Sequence, residues 1–203
     1  MSVYKLSNVG GLKNKTAYTS FLAGNSQYFP DMYEAIATTT VPSGGAATVT
    51  FSSIPSTYQH LQLRLMTRNT AANNYNSWFQ MRVNGDTGSN YSEHALAGNS
   101  SAATSYGQAS NASVDVFVNP GSDAASGIYG ASIIDFLDYA NTSKNKTIRI
   151  LNGAEINVST TRIGMQLCSA AWLNTSAITS ITFTGANGNF DQYSSFALYG
   201  IKG

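Results

Sequence analysis

The chain has 203 residues, a formal net charge of +1, and only 10% Asp, Glu, Lys or Arg. That is well below the ~25% of an ordinary soluble domain. The 26 Ser, 20 Thr and 19 Asn make the surface polar but nearly uncharged. Eleven basic residues face ten acidic ones, so the clustered cations that nucleic-acid binding requires are missing. A single Cys excludes an internal disulfide framework. No apolar run approaches the ~20 residues of a membrane helix, and Met1–Lys15 lacks the apolar core of a secretory signal.

Residues 1–31 read as an arm rather than a domain. Their apolar residues follow neither a period of two nor one of 3.6, and Gly10-Gly11, Gly24-Asn25 and Pro30-Asp31 punctuate them. Six large apolar side chains, Leu12, Tyr18, Phe21, Leu22, Tyr28 and Phe29, are expected to meet a neighbouring chain, as in a trimer.

From residue 32 to 203 the texture is one of short alternating runs. Tyr33–Val41 is a strand, closed by Pro42-Ser43-Gly44-Gly45, and Ala47, Val49 and Phe51 mark the next. His60–Asn69 is the cleanest, with Leu61, Leu63 and Leu65 toward a core and Gln62, Arg64 and Met66 away from it. Asn69–Ser77 is a polar loop. Trp78–Asn84 follows with Phe79, Met81 and Val83 on one face, and Asn84-Gly85 is a tight turn. Tyr91–Ala97 is a weaker strand, and Gly98–Ala112 reads as a long surface loop. Val114, Val116 and Val118 mark another strand. In Gly127–Ala140 the pairs Ile133-Ile134 and Phe136-Leu137 suggest burial on both faces. Thr147–Asn152 opposes Ile148 and Ile150 to Arg149 and Leu151. Arg162–Trp172 is expected to turn Ile163, Met165 and Leu167 inward. Ile178–Thr184 and Tyr193–Ile201 complete about ten strands. Turns every 8–15 residues imply an all-β, antiparallel, jelly-roll-like sandwich with an extended N-terminal arm.

The residue types that carry chemistry are scattered. His60 and His94 are the only histidines, and neither has a second ligand at metal spacing. Glu93 adjoins His94 in a strand, so the two side chains point to opposite faces. Cys168 has no nucleophile signature around it and reads as a buried, inert thiol. Asp135 and Asp138 are three apart in a strand and cannot form a glycosidase pair. A further acid such as Asp115 or Asp191 is not selected by any spacing. Asn84–Asn90 (NGDTGSN) holds oxygens that calcium could accept, but a turn explains the same residues. Trp78, Trp172 and Tyr75 are candidate sugar platforms, with core or rim packing the plainer reading. No cofactor is expected.

Several segments are familiar as words. They are YKLSNVGG (Tyr4–Gly11), SSIPSTYQHLQLRL (Ser52–Leu65), NGDTGSNYSEHAL (Asn84–Leu96) and IIDFLDYANTSKNKTIRILNG (Ile133–Gly153). The ending, AAWLNTSAITSITFTGANGNFDQYSSFALYGIKG (Ala170–Gly203), is the most specific. Together they resemble virion structural proteins of tailed bacteriophages, including those of cyanobacteria. The resemblance implies a non-enzymatic protein of the virion exterior and brings no functional residues with it. The first expectation is a capsid decoration or cement protein, held by its arm to other virion proteins and forming a homo-oligomer. The alternative is a tail-fibre or receptor-binding module that contacts host glycans.

Overall fold

The computed structural model describes residues 32–72, 77–99, 101–156 and 163–202. The arm positions Leu12, Tyr18, Phe21, Leu22, Tyr28 and Phe29 lie outside the described residues, as does Tyr75. The described residues hold twelve strands and no helix: β1 (Tyr33–Thr40), β2 (Thr48–Phe51), β3 (His60–Thr67), β4 (Ser77–Val83), β5 (Tyr91–Asn99), β6 (Ala103–Asn111), β7 (Val114–Asn119), β8 (Gly130–Leu137), β9 (Lys146–Gly153), β10 (Ile163–Trp172), β11 (Ile181–Gly185) and β12 (Ser195–Ile201).

They form an antiparallel β-sandwich. One sheet has eight strands in the order β1-β12-β3-β8-β9-β10-β5-β6, and the other has four, β2-β11-β4-β7. The chain passes from one sheet to the other at β1–β2, β2–β3 and β3–β4, and again at β7–β8 and β11–β12. Two hairpins interrupt this alternation. β5–β6 is inserted before β7, and β9–β10 before β11. Both join the large sheet on the far side of β8, where β10 pairs with β5 along its whole length, from Trp172↔Tyr91 to Ile163↔Asn99. The large sheet is therefore wider than the small one.

The alternating residues of facing strands build the core. Leu61, Leu63 and Leu65 of β3 are buried, as the sequence implies. They meet Ile134 and Phe136 of β8, Phe196 and Leu198 of β12, and, from the other sheet, Phe79, Met81 and Val83 of β4 and Phe183 of β11. Four rings interlock at the centre: Phe79–Phe190, Phe190–Phe196, Phe183–Phe196 and Phe79–Phe183 lie 5.5, 5.0, 5.5 and 5.7 Å apart, within the range of favourable aromatic pairs.

Two buried cations fasten loops to this core. The Arg68 guanidinium donates to the carbonyls of Ser122, Ala124, Ala125 and Ile128 at 2.7–3.2 Å. The Lys146 ammonium donates to the carbonyls of Asn141, Lys144 and Thr175, and burial holds its pKa below the usual lysine value. Lys144 and Lys146, two apart in the sequence, thus form no cationic patch, because Lys146 is interior.

Three expectations are corrected. Residues 98–112 are not a long loop: β5 runs on to Asn99, and Ala103–Asn111 forms β6, pairing with β5. Its Ser, Thr, Ala, Gly and Gln content hid it, since an edge strand needs no apolar face. β8 is not buried on both faces, because Ile133 and Leu137 point to solvent while Ile134 and Phe136 point inward.

β10 has the opposite phase from that expected. Met165 and Leu167 are exposed, whereas Gln166, Cys168, Ala170 and Trp172 face in. The large ring decides the phase. Burying an indole withdraws roughly 200 Å² from water, and Trp172 also donates to the Asp86 carboxylate at 2.7 Å. Its neighbours agree: Cys168 lies between Ile150 of β9 and Ala95 of β5, both buried.

Adjacent positions should therefore respond differently to truncation. Leu63→Ala should cost about 2–5 kcal/mol in denaturant unfolding. In dilute protein Met66→Ala, three residues along the same strand but 55% exposed, should stay within about 0.5 kcal/mol of the parent. Equal losses would contradict the assigned faces.

Candidate interaction surface

The feature of the described surface with most chemical content is the outer face of the large sheet. Registered pairs place five residues in one straight row across five strands: Arg64 (β3), Ile133 (β8), Leu151 (β9), Leu167 (β10) and Leu96 (β5). The four apolar members are 40–56% exposed. Directly opposed side chains in neighbouring strands touch, so this is a continuous apolar ridge rather than isolated residues. On one side lies the row Met66, Ala131, Gly153, Met165 and Gly98, whose two methionines are 55% and 60% exposed.

The opposite flank is polar: Gln62, Asp135, Arg149, Ser169 and His94. Here the charges are already matched. Asp135 accepts from Arg149 at 2.7 Å and from Gln62 at 2.9 Å. Arg64 donates to Gln62 at 2.9 Å and stacks over the rings of Tyr33 and Tyr199, 5.4 and 5.1 Å from their centroids. Gln62, Ile133, Asp135, Arg149, Leu151 and Leu167 line a shallow depression in this face. Such a surface can bind a flat, weakly charged partner by burying apolar area. It has no convergent groups for acid–base or nucleophilic work.

The residues singled out in the sequence do not converge elsewhere. His60 accepts a hydrogen bond from the Asp138 amide, 2.9 Å from Nδ1. Asp138 lies in the turn past β8 at φ +48°, paired with Lys144, and so is separate from Asp135. His94 lies over Gly107, where a Cβ would come within 2.5 Å of its ring. Asp191 pairs with Arg68 at 3.5 Å. In the Asn84–Asn90 turn, both Asn84 and Gly85 have positive φ, as a type I′ turn requires. The Asp86 carboxylate accepts from the Gly88 amide, the Asn90 amide group and the Trp172 indole at 2.7–2.9 Å. These donors, Trp172 foremost, hold its pKa below the usual carboxylate value. Trp78 packs on Phe117 at 5.9 Å. Among the described residues no three His, Cys, Asp or Glu side chains gather as a metal site would need.

Cys168 is interior, and burial pushes its thiol up to about 12. Beside it, beneath the sheet extension, lies a polar cluster that the sequence did not reveal. Glu93, 2% exposed, accepts from the Asp115 amide at 2.9 Å. Gln166 accepts from Asn152 at 3.0 Å and donates to Tyr106. Burial raises Glu93 to about 7 and raises Asp115 as well.

No protein-family model matches this chain, and no curated protein matches it. The reading of the surface therefore rests on its residues.

The exposed ridge escaped the sequence because β10 reads as apolar on both faces. The signal that could have found it is the four-residue phase from Cys168 to Trp172: fixing Trp172 inward forces Leu167 and Met165 outward.

The buried acid gives a pH test. Glu93 has a folded-state pKa of about 7 against 4.5 for an ordinary glutamate, so the folded state binds its proton more tightly than the unfolded state. Stability should be highest at or below about pH 4.5 as far as this group is concerned. It should fall as pH rises to about 7 and level off above that. Glu93→Gln should flatten most of this slope and raise the melting temperature at pH 8, as read by calorimetry at pH 5 and 8. An unchanged slope would show that Glu93 does not carry it.

Proposed function

We propose that this chain is a non-enzymatic structural protein of the exterior of a tailed-phage particle, a capsid decoration or cement protein that works as a homo-oligomer. The observation that carries the reading is the outer face of the large sheet: an apolar ridge with its flanking charges internally matched. Such a face suits permanent protein–protein contact better than turnover of a substrate. The scarcity of charge agrees, since a particle surface of this kind attracts neither nucleic acid nor anionic cell surfaces by long-range fields. The fold agrees too. We read the order β1-β12-β3-β8 opposite β2-β11-β4-β7 as a jelly-roll wrap, with the two inserted hairpins widening one sheet. Residues 1–31 serve as the attachment arm and the sandwich as the exposed body.

The test is incorporation into particles that lack the protein. Purified full-length chain should bind them at a copy number commensurate with the shell subunit. A chain lacking residues 1–25 should remain folded, because the first described strand begins at Tyr33, but should fail to bind. Full-strength binding without the arm would overturn its role. Binding only at the tail would move the protein off the shell.

A further inference from the structure

We infer that the outer face of the large sheet is a two-fold interface, and that its occupant is a second copy of this chain packed face to face. The proposal rests on the homo-oligomeric part of the functional reading and not on its particle location.

Size is the first argument. Strands β3, β8, β9, β10 and β5 are neighbours in the sheet. At ~4.8 Å per strand and ~3.4 Å per residue, eight residues of each cover about 24 by 27 Å, roughly 650 Å². Two copies would thus bury about 1,300 Å² in total, within the ~1,200–2,000 Å² of standard specific interfaces. A contiguous apolar strip of six large side chains, Met66, Leu96, Ile133, Leu151, Met165 and Leu167, each 40–60% exposed, is also unusual for a free surface.

Charge selects the partner. Asp135 is satisfied by Arg149 and Gln62, and Arg64 by Gln62 and two tyrosine rings. One cation on the face, Arg64, has no carboxylate partner among the described residues, and a single charge at the end of the ridge is too weak a field to recruit a polyanion. Its complement is flat, apolar and near-neutral, which describes the face itself.

Symmetry then fixes the arrangement. A two-fold axis running along the ridge lays Ile133, Leu151, Leu167 and Leu96 of one copy on the same residues of the other. It also sets the methionine flank of each copy, Met66 and Met165, over the polar flank of its partner. Arg149 therefore never meets its symmetry mate, whereas Arg64, the end member of the row, faces its own mate at the rim, where it lies over the rings of Tyr33 and Tyr199; the flexible methionines lie along aliphatic stems of polar side chains. Sheets stacked in this way lie ~10 Å apart, a gap that Leu, Ile and Met fill from both sides.

The experiment is the mass of the full chain by light scattering and sedimentation equilibrium, with three variants. The parent should be a dimer at micromolar concentration. Leu151→Glu combined with Leu167→Glu should weaken association by about 100-fold or more with an unchanged circular dichroism spectrum, since both positions are half exposed in the monomer. Tyr193→Ser, at an exposed residue outside the five strands, should leave the dimer intact. Leu151→Cys should give a covalent dimer with a short bis-maleimide, the buried Cys168 staying unlabelled. A parent that is monomeric at ~100 µM would overturn the proposal. So would an oligomer of any order that is indifferent to the double glutamate variant, or a Leu151→Cys chain that does not cross-link. A monomeric parent would also remove the homo-oligomer from the functional reading, but none of these results bears on particle binding, which fails or holds separately.

Discussion

The pairing of β5 with β10 is the contact on which the rest of this architecture depends. It joins two hairpins inserted at distant points of the sequence and fuses them to the edge of β8. Antiparallel pairing has a side-chain period of two, so one register choice fixes every residue of both hairpins. Trp172 opposite Tyr91, both interior, sets that choice. Everything on the other parity, Leu167 and Met165 on β10 and Leu96 on β5, is then committed to solvent. Slipping by one residue would bury those side chains but expose the indole and break its bond to Asp86.

The same registration explains the interior of the extension. The extension lies beyond the strands that face the full width of the small sheet, and β7 is the element that touches it from below. Away from the Trp172–Tyr91 end, the inner positions of β10 and β5 are small or polar: Ala95, Ala97, Gln166, Cys168, Ala170 and the Glu93 carboxyl. Tyr106 closes the space edge-on to Phe117 at 5.3 Å. The Asn152 amide donates to Gln166 but leaves its own oxygen without a partner, and Glu93 has only the Asp115 amide as a donor to one of its oxygens. Burial without enough donors is the reason its proton is held so firmly.

How much was legible in the sequence follows from these details. β3, β4 and β9 alternate cleanly, and their faces could be read directly: Leu61, Leu63 and Leu65, then Phe79, Met81 and Val83, then Ile148 and Ile150 are all interior. β6 was invisible because a polar edge strand has no hydrophobic period. β8 and β10 were misassigned in facing because they carry apolar residues on both parities, and only the neighbours' register distinguishes the two. That ambiguity is itself the functional clue. A strand of this kind in a sheet with one covered face leaves an apolar row uncovered, and β8 and β10, in register with Leu151 of β9 and Leu96 of β5, make a surface.

The central claim is that β10 turns Leu167 outward and Cys168 inward, and adjacent thiols test it most directly. In dilute native protein, a cysteine placed at position 167 should react with a maleimide at a rate close to that of an unfolded peptide, while Cys168 should react only after denaturation. Protection of position 167 together with ready labelling of Cys168 would contradict the register, and with it the exposed ridge on which the account is built.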